Sequence, residues 1–295
     1  MKTYHVSKGI IFLLIGIFIF ALMNAFIKSV EGKYAPIQVA FMRFLWSTIP
    51  CFLFYITEKN RPSLISDQKT MQMHIGRALA TTVSITALCF AIKALPLSEV
   101  TVLNFSIVFF VSGFSIFLLK QPVPLTRWIA IIVGFLGVVV VANPHGDIQG
   151  ELDVVYALFY PFLNAFVIIS GNILSKRHSP GATMFLLTFF AAIISGFFTF
   201  FYWITPSAFD FFIFSLIGLC GGIGFVFQTL AYNYAPASIV APMSYSGLIW
   251  GGILGYVFWG EIPTKNLFFG SLIIIASGLF IIYHESKSKS QSKEL

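Results

Sequence analysis

The chain has 295 residues, of which 58% are hydrophobic and only 10% are charged, and its mean hydropathy is +0.89. An average soluble domain carries about 25% charged residues, so this composition excludes a water-soluble globular protein. The net charge of +7 comes from basic residues scattered singly through short loops, and no patch suited to a nucleic acid is formed. The sequence therefore predicts an all-α integral membrane protein whose surroundings are the lipid bilayer.

Apolar runs of about 18 to 22 residues recur along the chain, each long enough to cross a hydrocarbon core of about 30 Å. Short polar connections, most of them with a proline, separate these runs. The first run lacks a small-residue cleavage site and precedes many others, so we interpret it as a span and not as a signal peptide. The ten predicted spans are residues 9–28, 36–56, 74–95, 98–118, 126–142, 152–174, 181–203, 209–233, 237–258 and 266–283.

An internal repeat runs through the chain with an offset of 140 residues. The stretch AIKALPLSEVTVLNFS at 91–106 recurs as AYNYAPASIVAPMSYS at 231–246, and the Asn-Ala-Phe that begins at Asn24 recurs at Asn164. In both long stretches a proline separates two apolar runs, which predicts the corner of a helical hairpin.

The repeat predicts two units, residues 1–145 and 146–295, with five spans each. Because five is odd, the second unit enters the membrane from the opposite side, which makes a five-plus-five inverted repeat of ten transmembrane helices. Such a layout places a binding site near the bilayer midplane, between the two halves. Of the 18 Lys and Arg residues, 13 fall on one side and four on the other, which predicts that both termini are cytoplasmic.

Two hairpins carry polar or small residues on one helical face. Spacings of three, four and seven residues return to nearly the same helical angle, so these residues share a face that lipid does not cover. Close helix packing, which the GxxxG spacing of Gly247, Gly251 and Gly255 supports, and the lining of a cavity are both compatible with this pattern. The faces comprise Thr101, Asn104, Ser112 and Ser115 in span four and Ser244, Tyr245, Gly252, Gly255 and Tyr256 in span nine.

Span eight presents a similar face, in which two glycines precede Gln228 and Tyr232. Glycine leaves room while Gln and Tyr supply hydrogen bonds, which suits a small-molecule cavity, although a purely structural role of the glycines explains the pattern as well. Asn24 and Asn164 are related by the repeat. Each either bonds a neighbouring helix or lines the cavity.

Arg43 lies about seven residues, or about 10 Å, inside span two, where a charge is costly. None of the 11 Asp and Glu residues lies at comparable depth. Two interpretations remain: the side chain snorkels outward or caps backbone carbonyls, or it is a fixed cation for an anionic substrate group. The second predicts a substrate carboxylate, with its apolar, planar or cationic remainder held by aromatic side chains. The candidate aromatic residues are Trp46, Phe105, Tyr245 and Trp250.

Several functional classes lack their signature residues. The sequence has no GxxxxGK[ST] phosphate loop, no HExxH motif and no Ser/His/Asp constellation, so we expect no catalytic residue, metal or cofactor. The three cysteines lie singly within apolar runs and indicate neither a disulfide nor a metal site. An integral-membrane enzyme acting on a lipid and a structural or sensor membrane protein remain as alternatives. A monomer and a homodimer are both compatible with the sequence.

Four features make the chain resemble the EamA-type carriers of the drug/metabolite transporter superfamily. They are the region from Asn24 to Lys28, the P-x-x-x-A-F-x-R pattern from Pro36 to Arg43, the two A-x-x-x-x-P corners, and the FWGE that ends at Glu261. The resemblance implies ten helices in a five-plus-five inverted repeat, with spans three, four, eight and nine around a central cavity. One departure is that Gln121 occupies the first-unit position equivalent to Glu261.

Within that superfamily, the runs APMSY, GEIPTK and LFIIYHE look most like S-adenosylmethionine uptake carriers of obligate intracellular bacteria, although amino-acid exporters share most of them. We therefore expect a secondary carrier that moves a small carboxylate-bearing metabolite by alternating access, with S-adenosylmethionine uptake as the leading candidate. An exporter of amino acids or other metabolites is the alternative within the superfamily. The candidate substrate-binding residues are Asn24, Arg43, Thr101, Asn104, Asn164, Gln228, Tyr232, Tyr245 and Trp250.

Overall fold

The structure, a computed structural model, describes residues 5–58, 64, 67–119, 125–142, 151–174, 177–235 and 241–291. Every regular element in these ranges is helical, and two short 3-10 segments, Phe200–Tyr202 and Ala241–Tyr245, accompany the α-helices. The α-helices are α1 (Val6–Ser29), α2 (Pro36–Thr57), α3 (Gln68–Ala94), α4 (Leu97–Asn104), α5 (Ile107–Leu119), α6 (Leu125–Ala142), α7 (Glu151–Leu174), α8 (Pro180–Thr199), α9 (Ala208–Tyr234), α10 (Ser246–Trp259) and α11 (Lys265–Gln291).

These helices form the ten predicted spans, because α4 and α5 together make span four. In the described ranges, seven helical stretches are long and apolar enough to cross a membrane, and the helices at spans five and ten contain shorter apolar stretches. Large apolar side chains also face outward, among them Phe200, which is 81% exposed, and Val257, which is 64% exposed. An outward apolar surface of this kind suits lipid and not water.

Helix ends differ from the predicted ones where polar residues decide them. Helix α3 begins at Gln68, six residues before the predicted span, because the Asp67 carboxylate accepts a hydrogen bond from the Thr70 N–H at 3.3 Å. Helix α11 continues beyond the predicted end of span ten to Gln291. Pro96 precedes α4 as expected. Its repeat equivalent Pro236 and the predicted boundary at 145/146 lie outside the described residues.

The largest contacts between helices follow the predicted 140-residue repeat. Helix α1 packs on α9, and α7, the second-unit equivalent of α1, packs on α3, the equivalent of α9. The pairs α2–α9 and α3–α8 are related in the same way. Each of the pairs α2–α8, α4–α10 and α6–α11 joins a span to its own equivalent. The largest contacts between the two predicted units therefore come in equivalent pairs, whereas the α2–α3 contact has no comparable α8–α9 counterpart among the described residues.

Spans four and nine are interrupted at equivalent positions. The α-helical pattern of span four breaks at Phe105 and Ser106, where the Ser106 N–H donates to the Leu103 carbonyl at 3.1 Å. In span nine the 3-10 segment ends at Tyr245 and α10 begins at Ser246, 140 residues later. Phe105 lies about 12 Å along the span from Leu97, which puts the interruption near the bilayer midplane.

Glycines bring α2 and α9 into close contact. A Cβ atom on Gly218 would lie 2.7 Å from the Arg43 carbonyl oxygen, and one on Gly222 would lie 2.7 Å from the Ser47 carbonyl oxygen. The Ser47 hydroxyl donates to the Gly218 carbonyl at 2.7 Å. The small residues therefore let the two backbones approach, as in other membrane helix pairs.

The bundle has two ends, which we name by their residues. The terminal end carries His5, Glu58, Asp67, Arg177 and Tyr234; the opposite end carries Lys28, Leu95, Leu97, Thr199 and Glu261. At the terminal end the Arg177 guanidinium pairs with the Asp67 carboxylate at 3.1 Å, and the His5 N–H donates to the Tyr234 carbonyl at 3.1 Å.

Candidate substrate-binding site

Arg43 lies in the interior of the bundle, where α2 approaches α9. Its Nη1 atom is buried and has no hydrogen-bond partner among the described residues. A Cβ atom on Gly221 would lie 3.3 Å from Arg43 Nε, so the glycine provides the space that the side chain occupies. The Phe44 ring lies 5.7 Å from the guanidinium carbon. The side chain neither snorkels to an end nor satisfies all its donors on the protein.

Two further polar groups on α1 and α2 also lack partners. The Trp46 indole N–H, one turn after Arg43 on the same helix, and the Asn24 side-chain oxygen are both buried without a hydrogen bond in the described part of the chain. A buried polar group left unpaired costs about 1–3 kcal/mol, so such groups tend to be retained where a ligand satisfies them. The indole can donate, and the amide of Asn24 can both donate and accept.

Tyr160 of α7 and Cys89 of α3 lie within electrostatic range of the Arg43 guanidinium. Asn164 lies one turn after Tyr160 on α7, and the Ser84 hydroxyl of α3 donates to the Tyr160 carbonyl at 3.0 Å. The roles of Arg43 and Asn164 in binding stay predictions.

Residues at the interruptions of spans four and nine form a second polar and aromatic group, at a depth similar to that of Arg43. The Phe105 and Tyr245 rings, equivalent in the repeat, meet edge to face with centroids 4.8 Å apart. Around them the Asn104 side-chain oxygen and the hydroxyls of Ser106 and Ser246 are buried without hydrogen bonds in the described ranges. This group lies where the two units meet, which is where an inverted repeat places its ligand.

The remaining predicted residues mainly pack helices together. The Thr101 hydroxyl donates to the Leu97 carbonyl at 2.7 Å, and a Cβ on Gly251 would lie 2.9 Å from Thr101 Oγ1, so Thr101 takes part in close α4–α10 packing. Trp250 packs edge to face on Phe18 at 4.8 Å. A Cβ on Gly16 would lie 3.3 Å from the Gln228 backbone nitrogen, in the α1–α9 contact.

Two tyrosines predicted to face inward have exposed surface. Tyr232 is 41% exposed, and its place in a binding site stays a prediction. Tyr256, predicted on the inward face of span nine, is 63% exposed on the outer surface.

At the opposite end an ion pair connects three spans. Lys28, which is 8% exposed, bonds Glu261 and also donates to the Leu95 carbonyl at 3.2 Å. The other Glu261 oxygen accepts from the Leu97 N–H at 2.9 Å, at the start of α4. Glu31 lies beside this pair, and burial raises the pKa of its carboxyl, while Lys28 lowers it.

Sequence reasoning missed several of these residues. Trp46 was named as an aromatic neighbour only, and Ser106 and Ser246 appeared only as the shared last residue of the repeated stretch. Their common 140-residue offset was the signal that could have singled them out. His74, which the sequence did not single out, is wholly buried in α3, and its ring meets that of His178 edge to face at 5.1 Å.

A protein-family model named the EamA-like transporter family matches residues 7–143 and 152–283. The chain belongs to the EamA-like transporter family. Among curated proteins, an S-adenosylmethionine uptake transporter of Rickettsia prowazekii (strain Madrid E) is 28% identical over 299 residues, which span 100% of this chain and 98% of that protein. The corresponding transporter of Rickettsia felis is 29% identical over 309 residues, with the same coverage of both chains.

Two further comparisons extend the family assignment. The pseudopaline exporter CntI of Pseudomonas aeruginosa (strain UCBPP-PA14) is 23% identical over 272 residues, which span 92% of this chain and 94% of the exporter. A solved crystal structure matches 93% of this EamA-family chain and 96% of its own, with a TM-score of 0.67 and 14% identity, and so shares the fold. This EamA-family protein is thus a multi-pass membrane transporter, and its relatives include both an uptake carrier and an exporter.

Proposed function

We propose that this chain is a secondary carrier that takes up a small carboxylate-bearing metabolite across a bacterial inner membrane, with S-adenosylmethionine as the leading candidate. The full-length similarity to two rickettsial S-adenosylmethionine uptake transporters supports the substrate class. The single structural observation that carries the proposal is the buried, unpaired Nη1 atom of Arg43.

The argument from Arg43 concerns charge. A guanidinium in the bundle interior is costly unless an anion, carbonyls or water compensate it. The acids of the sequence lie in loops, tails or near span ends, away from Arg43. A substrate carboxylate can supply the anion through a charge-assisted, bidentate hydrogen bond, a geometry that lysine does not reproduce.

The aromatic groups suit the remainder of such a substrate. An adenine ring stacks on aromatic faces, and a sulfonium or ammonium cation is attracted by the negative face of an aromatic ring. Trp46, Phe105 and Tyr245 supply rings at the depth of Arg43 or near the midplane, and the unpaired hydroxyls of Ser106 and Ser246 supply hydrogen bonds. An exported amino acid, the second candidate substrate, would bind the same arginine. Because the chain is similar to the exporter CntI, the transport experiment below also includes amino acids.

Alternating access fits the pairing of the helices. Because the largest contacts between the units have equivalents under the repeat, the two halves can exchange conformations around the interruptions of spans four and nine. The Lys28–Glu261 pair fastens α1, α4 and the end of α10 at one end only, since Ile168 replaces Lys28 in the second unit. We propose that this fastening closes the opposite end in the conformation described here.

Orientation is part of the proposal and has a direct test. A cysteine introduced at Ser29, which is exposed at the opposite end, should react in intact cells with a membrane-impermeant maleimide. A cysteine at His5, exposed at the terminal end, should react only after the membrane is permeabilised. Both are made in a background with Cys51, Cys89 and Cys220 replaced. The reverse labelling pattern would show that the termini are not cytoplasmic.

Uptake by reconstituted protein tests the substrate and Arg43 together. Proteoliposomes should accumulate labelled S-adenosylmethionine saturably, and unlabelled amino acids should be tested as competitors and as efflux substrates. Arg43→Ala should weaken binding about 10- to 100-fold, since a hydrogen bond to a charged group contributes about 1.5–3 kcal/mol. Arg43→Lys should also lose affinity, because the bidentate geometry is lost.

The matched control is Arg177→Ala, which removes an arginine whose side chain is 58% exposed at the terminal end. This variant should bind and transport like the unaltered protein. If Arg43→Ala is folded and binds S-adenosylmethionine as tightly as the unaltered protein, Arg43 has a structural role and the carboxylate argument is wrong. Efflux of amino acids without S-adenosylmethionine uptake would favour the exporter.

A further inference from the structure

A second arginine lies in the interior, in the half of the bundle nearer the terminal end. Arg77 of α3 is 6% exposed, and its Nε donates to the Val167 carbonyl of α7 at 3.0 Å. Its Nη1 atom is buried without a hydrogen-bond partner in the described ranges. A Cβ atom on Gly171 would lie 2.7 Å from Arg77 Nη2, so this glycine too leaves space for a guanidinium.

The two arginines flank one stripe of α7. Tyr160, Asn164, Val167 and Gly171 follow each other at spacings of four, three and four residues, so they lie on one helical face. Tyr160 lies within electrostatic range of Arg43, while Val167 and Gly171 contact Arg77. The stripe rises about 16 Å over its 11 residue steps, so its two ends lie about half the bilayer core apart.

The contacts along α3 give the same order. Ser84 bonds the Tyr160 carbonyl and Arg77 bonds the Val167 carbonyl, so α3 and α7 run antiparallel in register along the stripe. No acidic residue of the sequence falls on the segments 77–84 and 160–171. The contact between α3 and α7 therefore has the positive charge of Arg77 at one end and the neutral amide of Asn164 in the middle. Its other end lies close to the positive charge of Arg43.

We propose that Arg77 forms a second carboxylate-binding position, nearer the terminal end, which receives the substrate anion after it leaves Arg43. A separation of this size is too long for one carboxylate to bridge, so the two guanidinium groups bind it in succession. Asn164 lies between them and offers a neutral amide donor. Arg77 compensates the charge of the substrate carboxylate once the carboxylate has left Arg43. A carrier with a single strong anion site would have no such second compensating charge. This proposal rests on the proposed function.

The structural alternative is that Arg77 only joins α3 to α7 through Val167. Two variants separate the interpretations. Arg77→Lys and Arg77→Gln both keep a donor for the Val167 carbonyl, but only lysine keeps the positive charge. A second binding position predicts that Arg77→Lys transports S-adenosylmethionine at least about tenfold faster than Arg77→Gln, because only charged donors bind carboxylates strongly. A purely structural role predicts equal activity for equal amounts of folded protein.

The experiment uses the full chain in proteoliposomes of known orientation, with labelled S-adenosylmethionine presented to each face separately. Arg77→Gln should raise the half-saturation concentration at the terminal-end face about tenfold or more, and change it less than threefold at the opposite face. Thr82→Val is the matched control, because Thr82 is buried on α3 and its hydroxyl bonds only its own helix at Ala78. Thr82→Val should resemble the unaltered protein at both faces.

Three outcomes overturn the proposal while the proposed function survives. They are unchanged transport by Arg77→Gln, equal activity of the lysine and glutamine variants, and a loss of maximal rate that is the same at both faces. Poor folding of Arg77→Gln is detected by size-exclusion chromatography, and the ratio of half-saturation constants at the two faces, measured on the folded fraction, then decides. Absence of any saturable S-adenosylmethionine transport by the unaltered protein would instead reject the proposed substrate.

Discussion

Breaking the ion pair at the opposite end should destabilise the protein by a predictable amount. Lys28→Met removes the cation and leaves the Glu261 carboxylate, whose side chain is only 12% exposed, with the Leu97 N–H as a remaining donor. Removing one partner of a buried pair costs about 3–5 kcal/mol. Because one hydrogen bond to Glu261 remains, we expect about 2–3 kcal/mol of lost unfolding free energy here.

A double-mutant cycle tests the origin of that loss. Lys28→Met with Glu261→Gln removes both charges, so the double variant should be more stable than the sum of the two single losses predicts, by about 1–3 kcal/mol. One kcal/mol corresponds to about 2–4 °C in a chain of this size, so Lys28→Met alone should lower the unfolding temperature by about 4–12 °C. Tryptophan fluorescence during heating in detergent measures each variant.

The control is Arg177→Ala, which breaks the Arg177–Asp67 pair, in which both side chains are more than half exposed. An exposed pair contributes about 0–1 kcal/mol, so its loss should hardly change the unfolding temperature. Strictly additive losses in the Lys28 and Glu261 variants would refute the reasoning, since they would show that the two charges do not stabilise each other.

Three further predictions concern single sites. Gly218→Ala should destabilise strongly, because its Cβ would lie 2.7 Å from the Arg43 carbonyl oxygen, whereas Gly252→Ala, with nothing within 4 Å, should stabilise by up to about 1 kcal/mol; thermal unfolding compares them. Burial raises the pKa of Glu31 above its ordinary 4.5, so its contribution to stability is present below that value and is lost as pH rises through the raised pKa. The Glu31→Gln variant should not lose this stability as pH rises. If the unfolding temperatures of the variant and the unaltered protein differ by the same amount at every pH, the prediction is wrong. Ser106→Ala removes an unpaired buried hydroxyl, so stability should be unchanged or higher while S-adenosylmethionine uptake falls; unchanged uptake would place the hydroxyl outside the binding site.

The sequence by itself determined the features that depend on local order along the chain. Run length decides whether a segment crosses a bilayer, so the ten spans were predicted, with differences at capped or polar ends such as Asp67 and at the interruption within span four. The 140-residue offset identified the two corners and the equivalence of Asn24 and Asn164. The positions of the acidic residues along the sequence identified Arg43 as a cation with no Asp or Glu at its depth. That inference uses only residue positions and needs no knowledge of which side chains are in contact.

Tertiary structure decided which side chains meet. Both lipid and protein accept apolar side chains, so the apolar pattern of a membrane helix does not show which face packs inward. The crossing of α4 with α10 therefore decided that Thr101 packs against Gly251, and only the packed bundle showed that Tyr256 is exposed. The pairing of α3 with α7 placed Arg77 along the same stripe that Arg43 approaches, because helix rotation and contact between distant segments are settled only when the whole bundle packs.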